Sequence, residues 1–493
     1  MDYFAIAVGF VVVSFVVELW LDVRQRRLLR VTEPPRDLLA RHRELREHCD
    51  AASFARAQAY GRAKNLFGML VNAKSTLLEL AMLLCGAYPY LWALAGRWVA
   101  ALSAATTATA AAVNSSGNET VSEQQQLSQG LSQEQEQQPS EYLQSLVFLG
   151  LVSVVDYVLS LPEDLYGTFV LEARFGFNRQ TWRTYVLDAA KTAVLSVVLG
   201  APVVCGTIAI VRHTGRLFAL YLALFVAAVS GVVMVLYPVV LLPLFNTLTP
   251  LGAGALRDAV AALAARTGFR AAQIAVMDGS TRSAHSNAFV TGVGAHRRIV
   301  LYDTLVAQLA PADVCAVLAH ELGHWRRGHT LRAFALACAH NGLVFALFAR
   351  FLANDALYRA FGFALPAGEH PVVVGLALFL AVYEPVDSLF AFLLNALLRR
   401  FEYEADADAV ALGYDLATAL VKVSRENSST LLVDPLYSAY HYDHPTLLER
   451  LSAIDALRAK APLPSPDTVD EGADSAEGTV SDAADAETKP KEE

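Results

Sequence analysis

The chain alternates long apolar runs with short polar segments. A helix needs about 20 mostly apolar residues to cross a bilayer. Seven stretches meet that need: roughly 3–22, 75–98, 142–161, 186–211, 217–242, 331–353 and 372–397. The first ends in Glu18 and Trp20 and lacks both a basic leader and a small-residue cleavage site, so it reads as a span and not a signal peptide. Between the fifth and sixth runs the pattern changes. Leu256, Val260, Leu263 and Ala264 recur at helical spacing within 253–267, which ends at Gly268. Residues 273–277, 285–293 and 297–302 read as short strands, the last two separated by Gly292, Gly294 and His296. A further helix is expected from Pro311, a favoured first-turn residue, through Trp325.

Loop charge sets the expected orientation, because Lys and Arg favour the cytoplasmic side. The first loop opens with Arg24, Arg26, Arg27 and Arg30, whereas residues 98–173 hold no Lys or Arg. The second loop therefore faces the lumen or exterior, and 162–185, 243–330 and 398–493 face the cytoplasm. The glycosylation tripeptides at Asn114 and Asn118 fall on the exterior side, and Asn427-Ser-Ser should stay bare. The terminal Lys489-Pro-Lys491-Glu-Glu has the form of a dilysine retrieval signal.

Composition supports a membrane body. Apolar residues make up 55% and charged residues 18%, with a mean hydropathy of +0.37. A soluble chain is nearer 45–50% apolar and about 25% charged. The net charge of −9 comes mostly from the tail, where 461–493 carries ten acids and two lysines, or −8. No basic footprint suggests nucleic acid. Cys49, Cys85, Cys205, Cys315 and Cys338 show no paired spacing, which excludes a disulfide scaffold or a cysteine zinc ribbon. Residues 101–141, with an Ala/Thr run and then many Gln, and the tail 461–493 are expected to be disordered. The expected organisation is transmembrane helices 1–5 over 1–245, a catalytic segment over 246–330, helices 6–7 over 331–398, and a cytoplasmic helical segment over 399–460 before the tail. Glu18, Glu79, Asp156, Lys191, Glu384 and Asp387 sit in or near the spans. Such charges lie at span ends or face internal water, and six together favour a wet interior.

The chemistry centres on His320-Glu321-Leu322-Gly323-His324, on the helix that follows the strands. Histidines four residues apart share a helical face and can grip one zinc, with Glu321 placed to take a proton from an activated water. Helix, small sheet and HExxH helix together are the layout of a zincin core. A catalytic zinc needs a third protein ligand and an open position. Phe401-Glu402-Tyr403-Glu404-Ala405-Asp406 follows the seventh span, and Glu402 and Asp406 share a face. Glu402 is the expected third ligand. Asp406 would orient a zinc histidine or steady the transition state. The opposing reading is a solvated acidic face. Glu404 points elsewhere. His285, His329, His340 and His444, taken singly, read as packed or solvated residues.

These residues resemble the type I CAAX prenyl proteases, integral-membrane zinc metalloproteases of the gluzincin kind. The likeness rests on Thr168–Asn178, Tyr237–Asn246, His285-Ser-Asn287-Ala288-Phe289, His320–Trp325, Phe401–Asp406 and His444–Leu451, in this order. It covers nearly everything except 101–141 and the tail. It implies a mainly α membrane protein, with seven transmembrane helices forming a barrel around a large chamber and a small α+β zincin-like cytoplasmic domain. The implied activity is removal of the C-terminal tripeptide from prenylated CAAX proteins, with a second upstream cut in some members. The implied cofactor is one Zn2+ per chain, and the partners are prenylated substrates and membrane lipid. The expected setting is the endoplasmic reticulum membrane or the inner nuclear membrane continuous with it, and the expected state is a monomer. Residue by residue, His320, His324 and Glu402 match the zinc ligands, Glu321 the general base and Asp406 a proton donor. Asn287 and Ala288 match a substrate-holding edge strand, and His444 and Arg450 match residues that stabilise the oxyanion or order the site. Three features depart from the pattern: the Gln-rich loop, Glu404 where Gln is common, and Val290 and Thr291 in place of bulkier residues. The alternatives are a clearance protease for membrane or translocon-jammed proteins, and a carrier or receptor with a coincidental motif. A carrier would often show internal repeats, and none is visible.

Overall fold

The computed structural model describes residues 2–115, 140–292, 294–366 and 368–460. Asn118, the remainder of the Gln-rich loop, the acidic tail and its dilysine end lie outside them. The first half is helical: α1 (Tyr3–Leu28), α2 (Ala51–Leu84), α3 (Ala87–Ser115), α4 (Glu141–Tyr166), α5 (Trp182–His213) and α6 (Phe218–Leu236). Short π-helical turns extend α4 through Gly167–Glu172 and α6 through Tyr237–Leu241. A mixed segment follows: β1 (Leu248–Pro250), α7 (Ala255–Thr267), β2 (Gln273–Met277), β3 (Ala288–Thr291), β4 (Arg298–Tyr302) and α8 (Pro311–Arg327). The chain then forms α9 (His329–Phe351), α10 (Val372–Ala411), α11 (Leu416–Glu426), α12 (Pro435–His441) and α13 (Leu447–Lys460).

Seven helices among the described residues are long and apolar enough to span a membrane. The second expected span needs correction. Residues 75–98 straddle a break at Cys85–Gly86 that separates α2 from α3. Gly86 has φ +64°, the left-handed conformation that ends helices, and Pro89 falls in the first turn of the next helix. The direction of travel survives the break. Tyr60 meets Glu172, Lys74 meets Glu163, and Trp92 meets Phe148. The two helices therefore pass α4 as one antiparallel path. A second correction concerns 101–115, expected to be irregular, which continues α3 as helix. Alanine dominates this stretch and has the highest helix propensity.

The sheet has the order β1-β2-β4-β3, with β2 and β4 parallel and the outer pairs antiparallel. β3 is an edge strand, and β1 was not expected from sequence. The core of this unit joins α7, the sheet, α8, the end of α10, α11 and α13, through buried Leu263, Ile299, Leu301, Leu318, Ala409 and Leu451. In α8, Val314, Leu318 and Leu322 recur every four residues as the core-facing stripe. α10 runs unbroken from the membrane pattern into this core. Gly323 lets α8 and α10 touch: a Cβ there would lie 3.1 Å from Ala405 Cα and 3.2 Å from Ala405 O. Within the bundle, Glu18, Glu79 and Glu384 line one cavity of about 390 Å³, where Asn72 donates to Glu18 at 2.7 Å.

Candidate metal centre

The α8–α10 crossing brings the predicted residues together. His320 and His324 share one face of α8, one turn apart, with their Nε2 atoms 3.1 Å apart. Glu402, from the last turns of α10, places Oε2 at 3.3 Å from His320 Nε2 and Oε1 at 3.1 Å from His324 Nε2. One ligand atom from each of the three residues lies within 4.8 Å of the others. Glu402 Oε2 is buried without a hydrogen-bond partner. A buried, unsatisfied carboxylate oxygen is costly, and a cation between these atoms removes that cost. Two imidazole nitrogens and one carboxylate also form a donor set that suits zinc.

The atoms facing away from this point are held. His320 Nδ1 lies 2.8 Å from Asp406 Oδ1. Arg450 grips Asp406 through Nε at 3.0 Å and Nη2 at 2.5 Å. A carboxylate thus stands behind His320, against the ring nitrogen that faces away from Glu402. His324 is backed differently. Its Nδ1 lies 3.0 Å from His329 Nδ1, and His329 Nε2 lies 3.3 Å from Glu404 Oε2. His329 is buried and stacks on Phe401 at 4.2 Å. Glu404 is closed off by Arg400 at 3.0 Å and Arg327 at 3.5 Å. The added negative charge at Glu404 is thus absorbed by neighbours. His329 is the residue that sequence reasoning undervalued. Its only signal was Gly328, whose φ of +66° ends α8 and folds the chain back behind His324.

Glu321, His444, Arg450 and Asn287 line a cavity of about 780 Å³ together with the two histidines and Glu402. Burial raises the Glu321 carboxyl above its ordinary range. His444 Nε2 lies 3.3 Å from Glu402 Oε1 on an otherwise exposed loop. Asn287 precedes β3, and its side-chain oxygen accepts the Ala288 N–H at 2.8 Å. Ala288 itself is buried against the core. His285 and His340 stand apart from this cluster: His285 packs on Phe177 and His340 on Phe390.

An HExxH helix, a carboxylate brought beside it by a membrane-derived helix and an edge strand beside a cavity are the parts of a metallopeptidase site. Family profiles agree. Residues 25–247 match the CAAX prenyl protease N-terminal region with five membrane helices, and 250–458 match peptidase family M48. The CAAX prenyl protease 1 homolog of Arabidopsis thaliana is 38% identical over 91% of this chain and 96% of its own length. That of Oryza sativa subsp. japonica is 36% identical over 93% of this chain and 99% of its own. The crystal structure of S. mikatae Ste24p superposes with a TM-score of 0.79 at 33% identity, covering 92% of this chain and 99% of that one. The chain belongs to peptidase family M48, in its CAAX prenyl protease group. It is a multi-span membrane hydrolase, and the carrier or receptor reading falls with that assignment.

Proposed function

We propose that this protein is a zinc endopeptidase that removes the C-terminal tripeptide from prenylated CAAX proteins. It acts as a monomer in the endoplasmic reticulum membrane, and in the inner nuclear membrane continuous with it, with the C-terminus in the cytoplasm. The observation that carries the reading is the convergence of His320, His324 and Glu402 on one point, with a buried, unpartnered Glu402 oxygen. Relatives named CAAX prenyl proteases over nine-tenths of the chain support the substrate class.

His320, His324 and Glu402 hold the metal. When bound, zinc supplies a Lewis acid that polarises the scissile carbonyl and makes water acidic enough to lose a proton near neutral pH. Glu321 receives that proton and returns it to the leaving amine. Asp406, locked by Arg450, keeps the His320 ring aimed and its Nδ1 proton in place. His444, beside Glu402 at the cavity edge, and the Arg450 guanidinium supply positive or hydrogen-bonding character where carbonyl charge develops. The strand around Asn287 and Ala288 holds the substrate backbone by edge addition.

The test uses purified protein in detergent with a farnesylated Cys-a-a-X peptide, with and without a chelator, beside Glu321→Ala. Tripeptide release that is lost on chelation and falls by about 10²–10⁴-fold or more in the variant supports the assignment. No release from metal-loaded protein points to a clearance protease acting on unprenylated chains. No release and no bound metal removes the proposal.

A further inference from the structure

The metal-site cavity has a neighbour. A second cavity of about 700 Å³ is lined by Tyr60, Lys64, His285, Ser424 and Asn427, and it shares His444 and Arg450 with the first. The edge strand joins them. Asn287, Val290, Thr291 and Gly292 face the first cavity, while His285, just upstream, faces the second. Trp325, Leu331 and Leu398 are among the apolar residues that line the first cavity. The second cavity has apolar lining too, among it Leu29, Val433 and Leu447, and carries one cation besides the shared Arg450.

That cation is Lys64. Its Nζ sits 5.1 Å from the centre of the Tyr60 ring. Its nearest acid, Glu172, is 4.0 Å away, and its side chain is 55% exposed. Glu172 is otherwise engaged, accepting the Tyr60 hydroxyl at 2.7 and 2.8 Å and lying 3.8 Å from His285. Asp22, on the same wall, accepts from Asn65 at 2.8 Å. Lys64 is therefore positioned to take an incoming anion.

A prenylated C-terminal peptide has one strongly apolar group, one carboxylate, and three residues beyond the cut. An isoprenoid gains by apolar burial and a carboxylate needs a cation or donors. Three extended residues reach roughly 10 Å, and the two cavities meet at His444 and Arg450. A peptide running from Thr291 toward His285 is also antiparallel to β3, which extends the β3/β4 pairing already present. Resting on the proposed function, we infer that the substrate lies with its prenylated cysteine at the Thr291–Trp325 end. Its terminal carboxylate enters the second cavity and pairs with Lys64. The pocket thus favours cuts three residues from a free C-terminus.

The experiment compares two farnesylated Cys-a-a-X peptides, one with a free C-terminal carboxylate and one amidated, using the full-length wild-type protein, Lys64→Met and Lys64→Arg. Loss of a charge-assisted contact is expected to lower wild-type kcat/KM on the amide by about 10- to 100-fold, mainly through KM. Lys64→Met should bring the acid-to-amide ratio near one, and Lys64→Arg should restore much of it. Equal wild-type cleavage of both peptides, or a ratio unchanged in Lys64→Met, overturns the inference. Absence of wild-type release from the free acid is a different outcome: it defeats the underlying function, whatever Lys64 does.

Discussion

The membrane bundle and the catalytic unit use the same aliphatic side chains against different solvents. In the bundle, Leu77 and Val197 are each 67% exposed. In the catalytic unit, Ile299, Leu301 and Leu318 are fully buried. No protein covers the first set, and the protein core covers the second. Deleting methyl groups should therefore be nearly silent in one region and severe in the other. α10 belongs to both, beginning among apolar bundle residues and ending with Glu402 and Asp406 in the metal centre.

The largest effect should come from the buried charges that this helix carries into the core. Asp406→Ala leaves Arg450 without its bidentate partner and His320 Nδ1 without its acceptor. A loss of about 3–5 kcal/mol is expected on breaking such a buried pair. Thermal or denaturant unfolding in detergent would read it, and a near-neutral result would mean that water reaches Asp406. Next comes Leu318→Ala, which should cost about 2–5 kcal/mol through a cavity between α8 and the sheet. Smaller still is His329→Leu, which removes the acceptor behind His324. Metal affinity, measured by chelator competition, should fall about 10- to 100-fold and activity should return at saturating zinc. Glu404→Gln keeps an acceptor for His329 Nε2 and should retain most of the affinity. The smallest effect is Val197→Ala on the lipid face, within about 0.5 kcal/mol of wild type. A large destabilisation there would show that this face packs on protein and would erase the contrast between the regions.

The same contrast explains what could be read from sequence. Span positions were legible because a bilayer demands a long apolar run and little else. Hydropathy is blind to backbone breaks, so the window over 75–98 passed across Gly86, although the Gly86-to-Pro89 spacing carried the signal. In the catalytic unit, the HExxH spacing gave the histidine face, and the turn-by-turn relation of Glu402 to Asp406 separated them from Glu404. What spacing could not give was tertiary: that Gly323 permits the α8–α10 contact, that Arg450 reaches Asp406 from a distant helix, and that Gly328 returns His329 behind His324. The strand β1 is only three residues long and had too few positions to show alternation.

The central claim is that a helix of the membrane bundle completes the metal site of the soluble-patterned unit. Metal stoichiometry and affinity of purified wild type and Glu402→Ala test it most directly. The account predicts one tightly held zinc per chain in the wild type and a steep loss of affinity in the variant, with the variant still folded and helical. A Glu402→Ala protein that binds zinc as tightly as wild type would contradict it.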